Sequence, residues 1–246
     1  MRTSPLFSNI QTGEAYYDAE KATYKGITIK TFILLAITVI MSAAVFFYLP
    51  KIITSGNLGA FSGVLIGALI IGFISVLVGR LSERAAKVSS FIYAIAEGIV
   101  VGAISCIAEL FVSGVVAIAL GATFIVFSVM LTLFATGVIR VGSKFRSFMF
   151  AFIIAFIPIM IITIVASIFI ADVKTYLGLM IFIELIYLAY GIFCLLLNFK
   201  EAQMVVDSGC SKNAEWSVSL GLMVSLVYIY LEVLRLILYI TAYNRN

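Results

Sequence analysis

The sequence predicts an all-α integral membrane protein, a seven-transmembrane-helix bundle with its N-terminus cytoplasmic and its C-terminus outside. Three observations carry this expectation. Of 246 residues, 63% are hydrophobic and 11% are charged, against about 45 to 50% and about 25% in soluble domains, and mean hydropathy reaches +1.21. Apolar runs recur at the length of about 20 residues that a bilayer requires. Basic residues gather in alternate connections, as the positive-inside rule asks of cytoplasmic segments.

Residues 1–26 read as a cytoplasmic N-terminal arm, with Pro5, Gly13 and mixed charges but no apolar stripe, and residues 27–246 as the membrane domain. Uncharged runs between Lys30 and Lys51, Lys51 and Arg80, Glu109 and Arg140, and Arg146 and Asp172 give four helices directly. Three more, over residues 88–108, 176–197 and 217–240, reach full length only with Glu97, Glu184, Glu232 and Arg235 inside the membrane. Leaving those segments out of the bilayer would expose apolar stretches to water, which is worse than burying three acids. Pro158 in the fifth run marks a kink of the kind lipid-embedded helices tolerate. Residues 198–216 read as the longest connection, polar and cytoplasmic, with a turn at Asp207-Ser208-Gly209.

Orientation follows from lysine and arginine placement. Arg2, Lys21, Lys25, Lys30, Arg80, Arg84, Lys87, Arg140, Lys144, Arg146, Lys200 and Lys212 fall on one side, against Lys51, Lys174 and Arg245 on the other. The richer side is the cytoplasm.

The composition also removes chemistry. With His 0 there is no imidazole base, no histidine-ligated metal and no Ser/His or Cys/His hydrolase. Cys106, Cys194 and Cys210 are far apart and form no metal or redox motif. A formal charge of +4, dispersed along the chain, argues against nucleic acid as a partner, and the last helix has no lysine for a retinal Schiff base. The expectation is a protein that is not an enzyme, carries no cofactor, and has the lipid bilayer as its first partner.

Counting depth at about 1.5 Å per residue puts Glu97 at the membrane midplane, Glu184 roughly 4 Å and Glu232 roughly 5 Å to its outer side. Arg235 follows Glu232 at the i, i+3 spacing of an ion pair. Carboxylates at that depth are costly unless they face the bundle interior or a wet cavity. They read either as structural groups neutralised by Arg235 and hydrogen bonds, or as a pathway for a cation such as Ca²⁺ or for protons; residue type alone does not choose the ion. Gly59, Gly63 and Gly67 on the second helix, and Ala94, Gly98 and Gly102 on the third, form small-residue seams that allow close helix packing.

Ala94, Glu97-Gly98, Gly102 and Ser105, together with Leu197-Asn198-Phe199-Lys200-Glu201, Ala214-Glu215-Trp216 and Tyr230-Leu231-Glu232-Val233-Leu234-Arg235, resemble the bacterial, YccA-like branch of the transmembrane Bax-inhibitor-motif family. Met1-Arg2-Thr3-Ser4 and the connection over residues 137–141 are similar too, so the resemblance spans nearly the whole chain. It implies seven helices with the last one central, in the inner (plasma) membrane, and a pH-sensitive Ca²⁺ leak gated by paired acids near the cytoplasmic end. A second implication is a regulatory role on a membrane protease or another quality-control partner. The chain departs from the pattern at the gate: Asn198 and Lys200 stand at the family's aspartate positions, Glu201 is the nearest acid, and the partner position on the last helix matches Glu232 or, counting from the inner ends, Ser225. Lys200 is expected to be solvated or to pair with Glu201 or Asp207.

Overall fold

The computed structural model describes residues 21–56, 58–138, 141–169 and 172–245. Seven helices follow in order: α1 (Tyr24–Thr54), α2 (Leu58–Leu81), α3 (Glu83–Phe111), α4 (Val115–Ala135), α5 (Ser143–Phe169), α6 (Val173–Asp207) and α7 (Ala214–Arg245). No strand occurs among the described residues; one antiparallel bridge joins Lys21 to Ser211. Among the described residues six helices, α1 to α4, α6 and α7, are long and apolar enough, by length and composition, to cross a membrane. The reason for helix everywhere is solvation: hydrocarbon offers no partner to a peptide N–H or C=O, so each segment must satisfy its own backbone.

Helix ends are set by local chemistry. Thr23 caps α1 by accepting from the Gly26 N–H, so α1 begins three residues before the expected boundary at 27; positions 1–20 of the expected arm lie outside the described residues. Glu109 reaches past the end of α3 to accept from the N–H groups of Gly114 and Val116, which opens α4. Asp172 caps α6, and the Thr175 hydroxyl and N–H hold its carboxyl below the ordinary range.

The expected 198–216 connection is shorter than the sequence indicated. α6 continues to Asp207, because Phe199 and Ala202 remain buried and Val205 and Val206 pack against the core. The apolar face therefore keeps its helical spacing for two more turns, leaving a link over residues 208–213.

α7 is the centre of the bundle. It packs against α1, α2, α3, α4 and α6, while α5 touches only α6 among the described residues. Of its membrane window 67% is buried, against 17% for α1 and for α4. Leu220, Met223, Ile229 and Leu234 of α7 are inaccessible. At its first turn Glu215 binds Lys30 of α1 at 2.6 Å and accepts from the Thr23 N–H at 2.8 Å, while the Lys30 ammonium also lies 4.9 Å from the Trp216 ring.

The two glycine seams behave differently. A Cβ on Gly102 would fall 2.5 Å from the Ser42 carbonyl oxygen and one on Gly98 2.8 Å from that of Thr38, so α3 meets α1 backbone to backbone. A Cβ on Gly59, Gly63 or Gly67 would meet nothing within 4 Å; the α2 seam faces outward. Gly102→Ala is accordingly expected to destabilise the purified protein by about 1 to 3 kcal/mol through overpacking, whereas Gly63→Ala leaves it unchanged or slightly more stable. Thermal unfolding of both variants in one detergent checks the contrast, and equal midpoints would show that α1 and α3 do not pack this closely.

Candidate functional site

Two polar clusters sit on α7, about 10 Å apart along its axis by helical rise. The outer one gathers Glu184 of α6 with Glu232 and Arg235 of α7. Arg235 Nε lies 3.0 Å from Glu184 Oε1, and its Nη2 binds Glu232 Oε1. Both acids are buried, at 3% and 1% exposure, and their carboxyl groups face each other. One guanidinium thus serves two carboxylates, and the fully ionised group carries a net charge of −1.

That arrangement leaves atoms unsatisfied. Glu232 Oε2 and the hydroxyl of Tyr228, one turn earlier on α7, are buried and complete no hydrogen bond. The Tyr228 ring is held edge-on to Tyr190 at 5.9 Å, and Tyr190 stacks on Phe152 of α5 at 5.8 Å. Gly191 makes this approach fit, since a Cβ there would fall 2.7 Å from the Tyr228 ring. Glu97 is placed elsewhere: it lies beside Tyr93 on α3, and no described contact joins it to the triad. Among the described residues no group of three or more Cys, Asp or Glu side chains is arranged to hold a metal.

The inner cluster lies where α2, α6 and α7 converge. Asn198 donates to Ser225 Oγ at 2.7 Å and to the Gly221 carbonyl at 3.1 Å. Arg80 of α2 binds Glu201 at 2.7 Å and donates to the Ser217 carbonyl at 3.1 Å. Gly221 leaves the room for both, because a Cβ there would sit 2.5 Å from Asn198 Oδ1 and 2.8 Å from Arg80 Nη1. Ser225, not Glu232, is therefore opposite Asn198. Lys200 takes a partner the sequence did not indicate, donating to Gln203 at 2.9 Å, because Glu201 on the neighbouring face is held by Arg80.

A Bax inhibitor 1 like family model matches residues 4–242. The chain belongs to that family. No curated protein and no solved structure matches it significantly. For this Bax inhibitor 1 like protein, the paired-acid position that the resemblance implied is an amide–hydroxyl pair, Asn198 with Ser225, and neither group titrates near neutral pH.

Sequence reasoning found Glu184, Glu232, Arg235, Asn198, Glu201 and Ser225, and the structure brings these together in two groups. It missed Arg80, Tyr228 and Glu215. Glu215 stood in view beside Trp216, yet its partner Lys30 is 185 residues away and no local spacing links them.

Replacing Asn198→Asp together with Ser225→Asp puts two carboxyl groups within hydrogen-bond distance, where like charges cannot both ionise and one proton is shared. In a liposome flux assay across pH, the double variant is expected to show an acid-sensitive step additional to whatever pH profile the parent has. A flux–pH profile identical to the parent's would show that the inner ends of α6 and α7 are not the gate.

Proposed function

We propose that this protein spans the inner (plasma) membrane seven times, with the N-terminus cytoplasmic, and acts as a pH-sensitive leak for cations, Ca²⁺ or protons, rather than as an enzyme. The observation that carries the reading is the unequal triad: two buried carboxylates, Glu184 and Glu232, share Arg235 and leave Glu232 Oε2 without a hydrogen bond. An excess negative charge in hydrocarbon calls for a proton or a passing cation. Tyr228 and Tyr239 are the other titratable side chains beside it. Protonation takes the triad from −1 to 0, so cation flux through it falls as pH falls, whereas a proton pathway loads more readily.

The seventh span in this reading is α5, supported by the uncharged run between Arg146 and Asp172, and the orientation rests on twelve cytoplasmic basic residues against three outside. Single-cysteine labelling from each side of sealed vesicles is expected to place Lys212 inside and Asn246 outside; a C-terminus on the same side as Lys212 would remove the seven-span topology.

A second reading, regulation of a membrane protease or another membrane partner, draws on the outward glycine face of α2, where a Cβ would meet nothing within 4 Å among the described residues. Flux of Ca²⁺, K⁺ and protons into liposomes, measured across pH, separates the two. Glu232→Gln and Glu184→Gln each neutralise the triad and are expected to abolish flux or flatten its pH dependence, while Glu109→Gln, at a helix cap, changes it little. Flux and pH profile untouched by both triad substitutions would make the acids structural and favour the second reading.

A further inference from the structure

Between α1 and α4 the bundle is open. Among the described residues no Cα of α1 comes within 8 Å of α4, and the gap is a groove of about 950 Å³. Its walls are α1 from Tyr24 to Phe47 and α4 from Val116 to Ala135, and its floor is α7. At 1.5 Å per residue the α4 wall is about 29 Å long, the thickness of the hydrocarbon core. We infer that this groove is a lipid site, holding an acyl chain of an anionic phospholipid with the phosphate at the Lys200 end.

The rim selects a chain rather than a helix: close helix approach needs small residues, and Phe32, Phe47, Phe124 and Leu120 project from it, 51% to 73% exposed. Most of the lining hydroxyls are already taken up within the chain. Thr31, Thr38 and Thr123 turn their hydroxyls back onto carbonyl groups, and Ser105 bonds Tyr230 at 2.7 Å. A flexible hydrocarbon tail needs none of these, and the groove opens sideways to the phase that supplies it.

The two ends differ, which fixes the direction. The end lined by Phe46, Phe47 and Val116 is apolar. At the other, Tyr24, Thr28 and Gln203 line the mouth, and Gln203 holds the Lys200 ammonium at 2.9 Å. Lys25 is exposed on the same turn as Tyr24, whose hydroxyl lies 3.4 Å from Asp207. The Lys200 ammonium, held at the mouth by Gln203, is suited to a phosphodiester. With the orientation proposed above, the lipid comes from the cytoplasmic leaflet.

The test uses full-length protein, delipidated in detergent and given dioleoyl phosphatidylglycerol, dioleoyl phosphatidylcholine or oleate, with bound lipid counted by native mass spectrometry. One phosphatidylglycerol per chain is expected, preferred over phosphatidylcholine by about fivefold, the factor one lysine contributes near an anionic surface. Lys200→Glu should remove the preference. Val39→Trp with Leu120→Trp, both at exposed wall positions, should remove retention while the unfolding midpoint stays put. Independently of any variant, a phosphatidylglycerol carrying a photoreactive acyl chain should label α1 and α4 of the unmodified protein. Label confined to α2 or α5, phosphatidylcholine or oleate retained as well as phosphatidylglycerol, or a dimer that the tryptophan variants dissolve would each overturn the assignment.

Discussion

A charged side chain within hydrocarbon must find its polar partners inside the protein, and in this chain α1, α2 and α6 each send such a side chain to one helix. Glu215 of α7 holds Lys30 of α1, the Ser217 carbonyl of α7 receives Arg80 of α2, and Arg235 and Glu232 of α7 hold Glu184 of α6. The acids Glu215, Glu184 and Glu232 are buried, so the links they make fix a neighbour's rotation as well as its distance, whereas Arg80 reaches α7 from an exposed position. The constraint also explains why the central helix is the least apolar of the candidate spans, with a window hydropathy of 1.9 against 2.6 for α1 and α2. Lipid-facing helices must be greasy; the helix they surround is free to be polar.

The two clusters on α7 divide the chemistry. Towards its first turns the groups are an amide, a hydroxyl and an ion pair with equal and opposite charges, Arg80 with Glu201. Two turns further on, the triad has one positive group for two negative ones. The deeper site thus carries the unequal charge, and the inner one is a junction of hydrogen bonds and one balanced ion pair. Tyr190, Tyr228 and Phe152 connect the deeper site to α5 through ring contacts, and among the described residues α5 meets the bundle through α6.

Much of this was legible in the residues. Long uncharged runs mark the helices, and the i, i+3 spacing of Glu232 and Arg235 anticipates their ion pair. Where the sequence misled, one pattern had two meanings. The seams of α2 and α3 look alike on paper, yet Gly98 and Gly102 meet α1 while Gly59, Gly63 and Gly67 meet nothing, because a small residue permits close approach without naming a partner. Lys200 and Glu201 are adjacent in sequence but a helix turns them about 100° apart, sending one to Gln203 and the other to Arg80. Polar residues at 198, 200, 201 and 203 also concealed two turns of helix, since the buried positions Phe199 and Ala202 are too few there to stand out.

The placement of α7 bears on how the molecule is made. Chains emerge from the ribosome N-terminal end first, at about 5 to 20 residues per second, so the helix that every neighbour but α5 packs against is the last of the seven to be synthesised. α1, α2 and α3 can dock on one another as soon as they are inserted, through contacts that do not involve α7. Lys30, Arg80 and Glu184, however, reach the membrane before the groups that neutralise them exist. For the seconds needed to finish translation those side chains depend on headgroups, water or the insertion machinery, and the nascent bundle is a ring waiting for its axle.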